Sequence, residues 1–116
     1  MTLQEYSYLL PQPDGLTQPF WDTARRHELA IQECGECGKL RHPPMGMCSE
    51  CGSETFGWRT LSGRGTLYSF VIVHQTALPD WRESVPYNIV LVTPEEAPGI
   101  TLYGNIVNFD DSKLKV

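Results

Sequence analysis

No apolar run in this 116-residue chain approaches the ~20 residues needed to cross a bilayer. The opening stretch, "MTLQEYSYLLPQPDG", has no basic region followed by an apolar core, so no secretory signal is expected and the cytoplasm is the expected location. Positive charge is scarce: nine Lys and Arg face fourteen Asp and Glu, a net charge of −5. Affinity for nucleic acid comes mostly from neutralising phosphates, so bulk attraction of that kind is excluded and only a local basic patch would serve. No Ser/His/Asp order and no nucleophile elbow is visible. Internal repeats and low-complexity tracts are missing too. A chain of this length builds one modest core with at most a small appendage, and a large active site enclosed by this chain alone is not expected.

Cysteine is missing everywhere except in one window, "ECGECGKLRHPPMGMCSECGS" at 33–53, which holds Cys34, Cys37, Cys48 and Cys51. In a reducing compartment two Cys-x-x-Cys pairs point to metal or redox chemistry before structural disulfides. A thioredoxin-like role needs one pair opening a helix in a βαβ unit, and neither pair has that setting. Each pair is instead followed by glycine (Gly38, Gly52), which lets the backbone turn so that amides face the sulfurs. Two such turns supply four soft ligands to one tetrahedral ion, in the manner of a rubredoxin-like knuckle pair. Zinc and iron both suit a four-sulfur cage, and ligand type does not separate them. With four protein ligands no coordination position stays open, so the ion is expected to be structural and to stiffen a ribbon with little core of its own.

Nine prolines and ten glycines mark many turns. Residues 1–16 read as an irregular arm. Thr17, Pro19 and Asp22 form a helix-start pattern, with Thr17 as hydroxyl cap and a helix over about 18–27 carrying Phe20 and Ala24 on one face. "ELAIQEC" alternates into the first knuckle as a short strand. Strands are then expected at 56–61, 65–75, 87–93 and 99–109, with a loop at 74–87 that exposes Trp81 and a turn, "TPEEAPG", whose Glu95 and Glu96 face solvent. Short strands with turn signals suggest a small barrel, and a five-stranded OB-type barrel fits their lengths. Four good strands are present, and "DDSKLKV" reads like the start of a fifth. The expected division is an arm and helix over 1–28, a zinc ribbon over 29–55 and an OB-fold over 56–116.

Outside the cysteines the chemistry is thin. His27, His42 and His74 read as a helix end, a loop and a strand end. "SGRGT" at 62–66 either brings Arg64 to a phosphate or is an ordinary bend between strands. Arg41 and His42 read as surface residues or part of a contact face. Leu9, Leu10, Phe20 and Trp21 are either anchors for a partner, being residue types favoured in interface cores, or they pack back on the chain.

The order of features is distinctive. "PFW", the cysteine quartet, "SGRGTLYSFVIVH", "PYNIVLV" and "GNIV" follow one another over residues 16–116. This resembles an acyl-CoA-associated family long known only as a domain of unknown function, built of an N-terminal helix, a rubredoxin-like zinc ribbon and a C-terminal OB-fold. The resemblance implies a mainly β protein and a structural Zn²⁺ on the four cysteines. It implies a non-catalytic accessory subunit that forms a hetero-oligomer with a thiolase-fold enzyme of acyl-CoA metabolism. That enzyme would be a thiolase or a retro-aldol lyase, in steroid or fatty acyl-CoA degradation. Arg64, Tyr68, Trp81, Phe20 and Trp21 are the positions where contacts to partner or CoA thioester are expected. The family's usual last strand, after a Gly-Met-Pro-Val-like turn, is absent here. Two other classes stand beside this reading: a nucleic-acid-binding zinc ribbon with OB-fold, and a free-standing small enzyme.

Overall fold

The computed structural model describes residues 10–116. One helix, α1 (Gln18–Arg25), precedes six strands: β1 (Leu29–Cys34), β2 (Leu40–Arg41), β3 (Phe56–Leu61), β4 (Gly65–Val73), β5 (Tyr87–Pro94) and β6 (Leu102–Gly104). They form two three-stranded sheets, ordered β2-β1-β3 and β4-β5-β6. All pairings are antiparallel. The protein is mainly β, a cysteine-bearing ribbon sheet followed by a second antiparallel sheet.

The helix starts by a different device from the one expected. Thr17 itself has helical torsions and its side chain caps nothing in the helix. Asp14 does the capping: its carboxylate accepts from the amides of Leu16 (2.9 Å) and Thr17 (2.8 Å), while the Thr17 hydroxyl accepts from the Asp14 amide. These bonds, the Thr17 amide foremost, hold the Asp14 carboxyl below its usual value. The helix is also shorter than expected. His27 takes a left-handed backbone (φ 61°), and the His27 and Glu28 amides turn back to the carbonyls of Ala24 and Thr23. That is a Schellman stop with histidine where glycine is usual.

β1 does not keep the alternation its sequence implies. Ala30, Ile31 and Gln32 are all buried, because β1 is the middle strand of its sheet and α1 packs on it as well. β3, expected as the first strand of the barrel, pairs along its whole length with β1, from Leu29↔Leu61 to Cys34↔Phe56. Its pattern could not reveal this, since a strand's partner is not written in its own alternation. The small core lies between ribbon and barrel. Ile31 and Leu61 of the ribbon sheet meet Ala97, with Leu29, Leu40 and Ile100 around them. The "TPEEAPG" segment is therefore a lid over the ribbon sheet as well as a turn. Ala97 is buried, and Glu96 is half-buried with its carboxylate accepting from the amide and hydroxyl of Ser62.

The second sheet is closed off differently from the expectation as well. The strand expected over 99–109 is only three residues long. Asn88 takes its place in ordering the chain: 6% exposed, it receives the Ile106 amide (2.7 Å) and donates to the Ile106 carbonyl and the Asp111 carboxylate, both at 2.9 Å. Residues 105–111 are thus tied to β5 through a side chain, and Asp111–Lys113 is a 3-10 turn and not a strand. The side-chain period of two places Phe70, Ile72 and Val90 on one face of this sheet and Val71, Ile89, Leu91 and Tyr103 on the other. Val71 and Tyr103 on the second face are 55% and 80% exposed, so that face is apolar and open.

Two outcomes are expected from these ties. Asn88→Ala strands the Ile106 amide and should lower unfolding free energy by about 2 kcal/mol in urea titrations. His27→Gly removes the left-handed strain and should raise it by about 1 kcal/mol.

Candidate metal centre

The two knuckles are built alike. β1 delivers Cys34, and the chain turns so that the Gly38 amide donates to the Cys34 carbonyl and the Cys34 amide to the Lys39 carbonyl. In the second knuckle the Gly52 amide donates to Cys48 and the Cys48 amide to Ser53. Gly38 and Gly52 hold matching left-handed torsions, φ 74° and 76°, which a side chain would strain. In each knuckle the first cysteine is buried and the second exposed.

The four Sγ atoms lie within 4.8 Å of one another. Cys34 and Cys51 approach to 3.5 Å, Cys37 and Cys48 to 3.6 Å. Four sulfurs bound tetrahedrally at ~2.3 Å are ~3.8 Å apart, so the cluster fits one ion and all four thiols are free to bind it.

The electrostatics agree with such a cage. The amides of Cys37 and Glu36 point at the Cys34 sulfur (3.5 and 3.4 Å) and lower its pKa to about 6. Cys48 is lowered in the same way by the amides of Cys51 and Glu50. For Cys37 the Lys39 amide pulls downward, but desolvation and the thiols of Cys48 and Cys34 outweigh it. For Cys51 the Ser53 amide likewise loses to the Cys34 thiol and desolvation, and its pKa is pushed up to about 12. Four thiols this close cannot all ionise without a cation between them, and a dication removes that obstacle.

The remaining expected contact residues are scattered. Phe20 and Trp21 form an edge-to-face pair (5.0 Å), and Phe20 lies 5.4 Å from the His42 ring. With Pro44, Leu102 and Tyr103 they line a cavity of about 650 Å³ between helix, ribbon loop and second sheet. Leu10 is exposed, and Leu9 falls outside the described residues. Arg64 is exposed in the bend before β4, with its Nε on the Glu95 carboxylate (2.9 Å). Tyr68 is 63% exposed at a β-bulge. Trp81 is half-buried in the 3-10 turn Pro79–Trp81 and stacks on Tyr87 at 5.1 Å.

Arg41 is a correction. Expected at the surface, it is 4% exposed. Its Nε donates to Gln32 Oε1 and its Nη2 to the Met45 carbonyl (3.0 Å), and its guanidinium lies over Phe56. Gln32 completes the cluster: it accepts from the Met45 amide (2.8 Å) and donates to the Met45 carbonyl (2.9 Å). The one signal in the sequence was a glutamine directly after the apolar run Leu29–Ile31.

A ribbon with a tetrathiolate cage joined to an OB-type sheet defines a recognised class of two-module protein. Residues 21–57 match the ChsH2 rubredoxin-like zinc ribbon domain, and residues 58–116 the ChsH2 C-terminal OB-fold domain. The chain belongs to this ChsH2 zinc-ribbon and OB-fold family. It is 34% identical, over 99% of its length, to a probable enoyl-CoA hydratase alpha subunit of Thermomonospora curvata, covering 35% of that protein. It is 34% identical over 90% of its length to the 3-oxo-4,17-pregnadiene-20-carboxyl-CoA hydratase alpha subunit of Mycobacterium tuberculosis, covering 34% of that protein. The chain thus spans about a third of the length of these relatives. A DUF35 domain-containing scaffold protein of Methanocaldococcus jannaschii is 36% identical over 72% of the chain and 57% of its own length. Among solved structures, a chain described as Ltp2-ChsH2(DUF35) aldolase superposes with a TM-score of 0.81 at 29% identity, over 92% of this chain and 81% of that one. No helix among the described residues is long and apolar enough to cross a membrane.

Metal analysis of the purified protein should find one zinc per chain. Cys34→Ser or Cys48→Ser should abolish retention, and a strong chelator should lower the unfolding temperature. Because bound thiols must be deprotonated, zinc should be held at neutral pH and released as pH falls, followed by a colorimetric zinc indicator.

Proposed function

We propose that this chain is a non-catalytic accessory subunit or domain. It binds a thiolase-fold acyl-CoA enzyme, a thiolase or a retro-aldol lyase, and helps form that enzyme's CoA-thioester site. The observation that carries the reading is the likeness to the Ltp2-ChsH2(DUF35) aldolase chain over nearly the whole length. The scaffold-protein and CoA-hydratase-subunit names of the relatives point the same way.

The geometry supports this role through its surfaces. Zn²⁺ held by Cys34, Cys37, Cys48 and Cys51 stiffens the ribbon and takes no part in chemistry, since all four positions are filled by protein. The open face carrying Val71, Ile89, Leu91 and Tyr103 is an apolar surface of the kind that protein partners cover. Phe20 and Trp21 at the rim of the 650 Å³ cavity, and Tyr68, Trp81 and Arg64 around the second sheet, are the contact candidates on the accessible sides.

The test is co-expression with a thiolase-fold acyl-CoA protein from the same organism. A stoichiometric complex on size exclusion, with higher activity or solubility of the partner, is expected. Val71→Glu and Tyr103→Ser should break the complex without shifting the unfolding temperature of the isolated chain. A partner that is fully soluble and active alone, and never co-elutes, would overturn the reading.

A further inference from the structure

We propose that Arg41, locked by Gln32 and Met45, is the residue that positions the second knuckle and offsets the negative charge of the metal-bound tetrathiolate. The proposal rests on the metal reading and not on the partner reading.

The observation is a buried cation with no acid beside it. Arg41 is the one buried charged side chain among the described residues. None of the described carboxylates is within ion-pair distance of it, and its Nη1 is enclosed without a hydrogen-bond partner. Burying an unpaired guanidinium is strongly unfavourable, so a compensating negative charge is expected nearby. A dication bound by four thiolates carries a net charge of −2. Arg41 and one ligand lie on the same narrow sheet: Gln32, the hydrogen-bond partner of Arg41, stands two residues before Cys34 on β1, so the backbones of Gln32 and Cys34 are about 7 Å apart along the strand. Two of the four cysteines are buried, and charges in such partly buried surroundings are screened less than in water.

The connectivity gives the same residue a geometric role. Arg41 stands four positions after Cys37, and Met45 three positions before Cys48. The carboxamide of Gln32 pairs with both backbone groups of Met45, and Arg41 grips the Met45 carbonyl from β2. This cluster closes the base of the loop between the knuckles, so it fixes where Cys48 and Cys51 are presented. Side chains that orient metal ligands without touching the metal typically change affinity by about ten- to a hundredfold.

The test uses the full chain with zinc and a chromophoric chelator in competition, and Co²⁺ as a spectroscopic stand-in. Arg41→Met keeps the volume and removes the charge; Arg41→Lys keeps the charge and loses the fork. The expected result is zinc affinity reduced by about tenfold or more in Arg41→Met, a smaller loss in Arg41→Lys, and a Co²⁺ thiolate absorption altered in Arg41→Met. Equal affinity of Arg41→Met and the unaltered protein would overturn the proposal, and equal losses in the two variants would overturn its charge role. If Arg41→Met binds no metal at all, Arg41→Lys decides: binding supports the charge role and no binding overturns it. An unaltered chain without zinc affinity would remove the metal reading together with this inference.

Discussion

Four sulfurs brought within a few ångströms of one another are the constraint on which the rest of the ribbon depends. Thiols do not converge by hydrophobic attraction, and ionised thiolates repel. What brings them together here is backbone: two turns of the same form, each closed by an amide-to-carbonyl bond across the knuckle and each needing a left-handed glycine. The ribbon strands are extensions of those turns. β1 ends in Cys34, β2 begins three residues after Cys37, and β3 begins five residues after Cys51. A sheet of three short strands has too little interior to hold itself, so an ion that ties both turns does the work a larger core does elsewhere.

How much of this was legible follows from how local each feature is. The knuckles could be read because cysteine spacing and the following glycines lie within a few residues. The helix and the strands β4 and β5 were legible from a start pattern and from β-branched runs. The cap was misread because Thr17 and Asp14 both fit the position, and only the path of the chain decides which side chain meets the amides. Gln32, Arg41 and Asn88 were missed for one common reason. Each is a polar residue whose partners come from another segment: Met45 for the first two, Ile106 and Asp111 for the third. Hydropathy patterning registers such residues as breaks in an apolar strand, and nothing in the strand says what satisfies them. The pairing of β3 with the ribbon was illegible for the same reason.

The contact residues show a further limit of local reading. Aromatic and arginine side chains in turns are natural candidates for binding, yet Arg64 is held by Glu95, Trp81 by the ring of Tyr87, and Phe20 by Trp21 and His42. Such internal contacts do not remove a residue from an interface. They order it before any partner arrives, which lowers the entropy lost on association. The more open apolar surface comes from residues that look like interior strand positions, Val71 and Tyr103.

The position of the core joins these points into one mechanical picture. Ile31 and Leu61 belong to the ribbon sheet, whereas Ala97 and Ile100 belong to the segment between β5 and β6. Glu96 adds a polar tie from that segment to Ser62 at the end of β3. The ribbon and the OB-type sheet therefore share one core and do not stand as beads on a string. Ile31 is flanked by Gln32, and Leu40 by Arg41, so the apolar junction and the polar cluster that seats the second knuckle run through the same two strands. The knuckles, the polar cluster and the junction are thus joined by continuous packing and hydrogen bonds along β1 and β2. An ion held by the two knuckles would in this way be tied into the same framework as the junction between ribbon and second sheet.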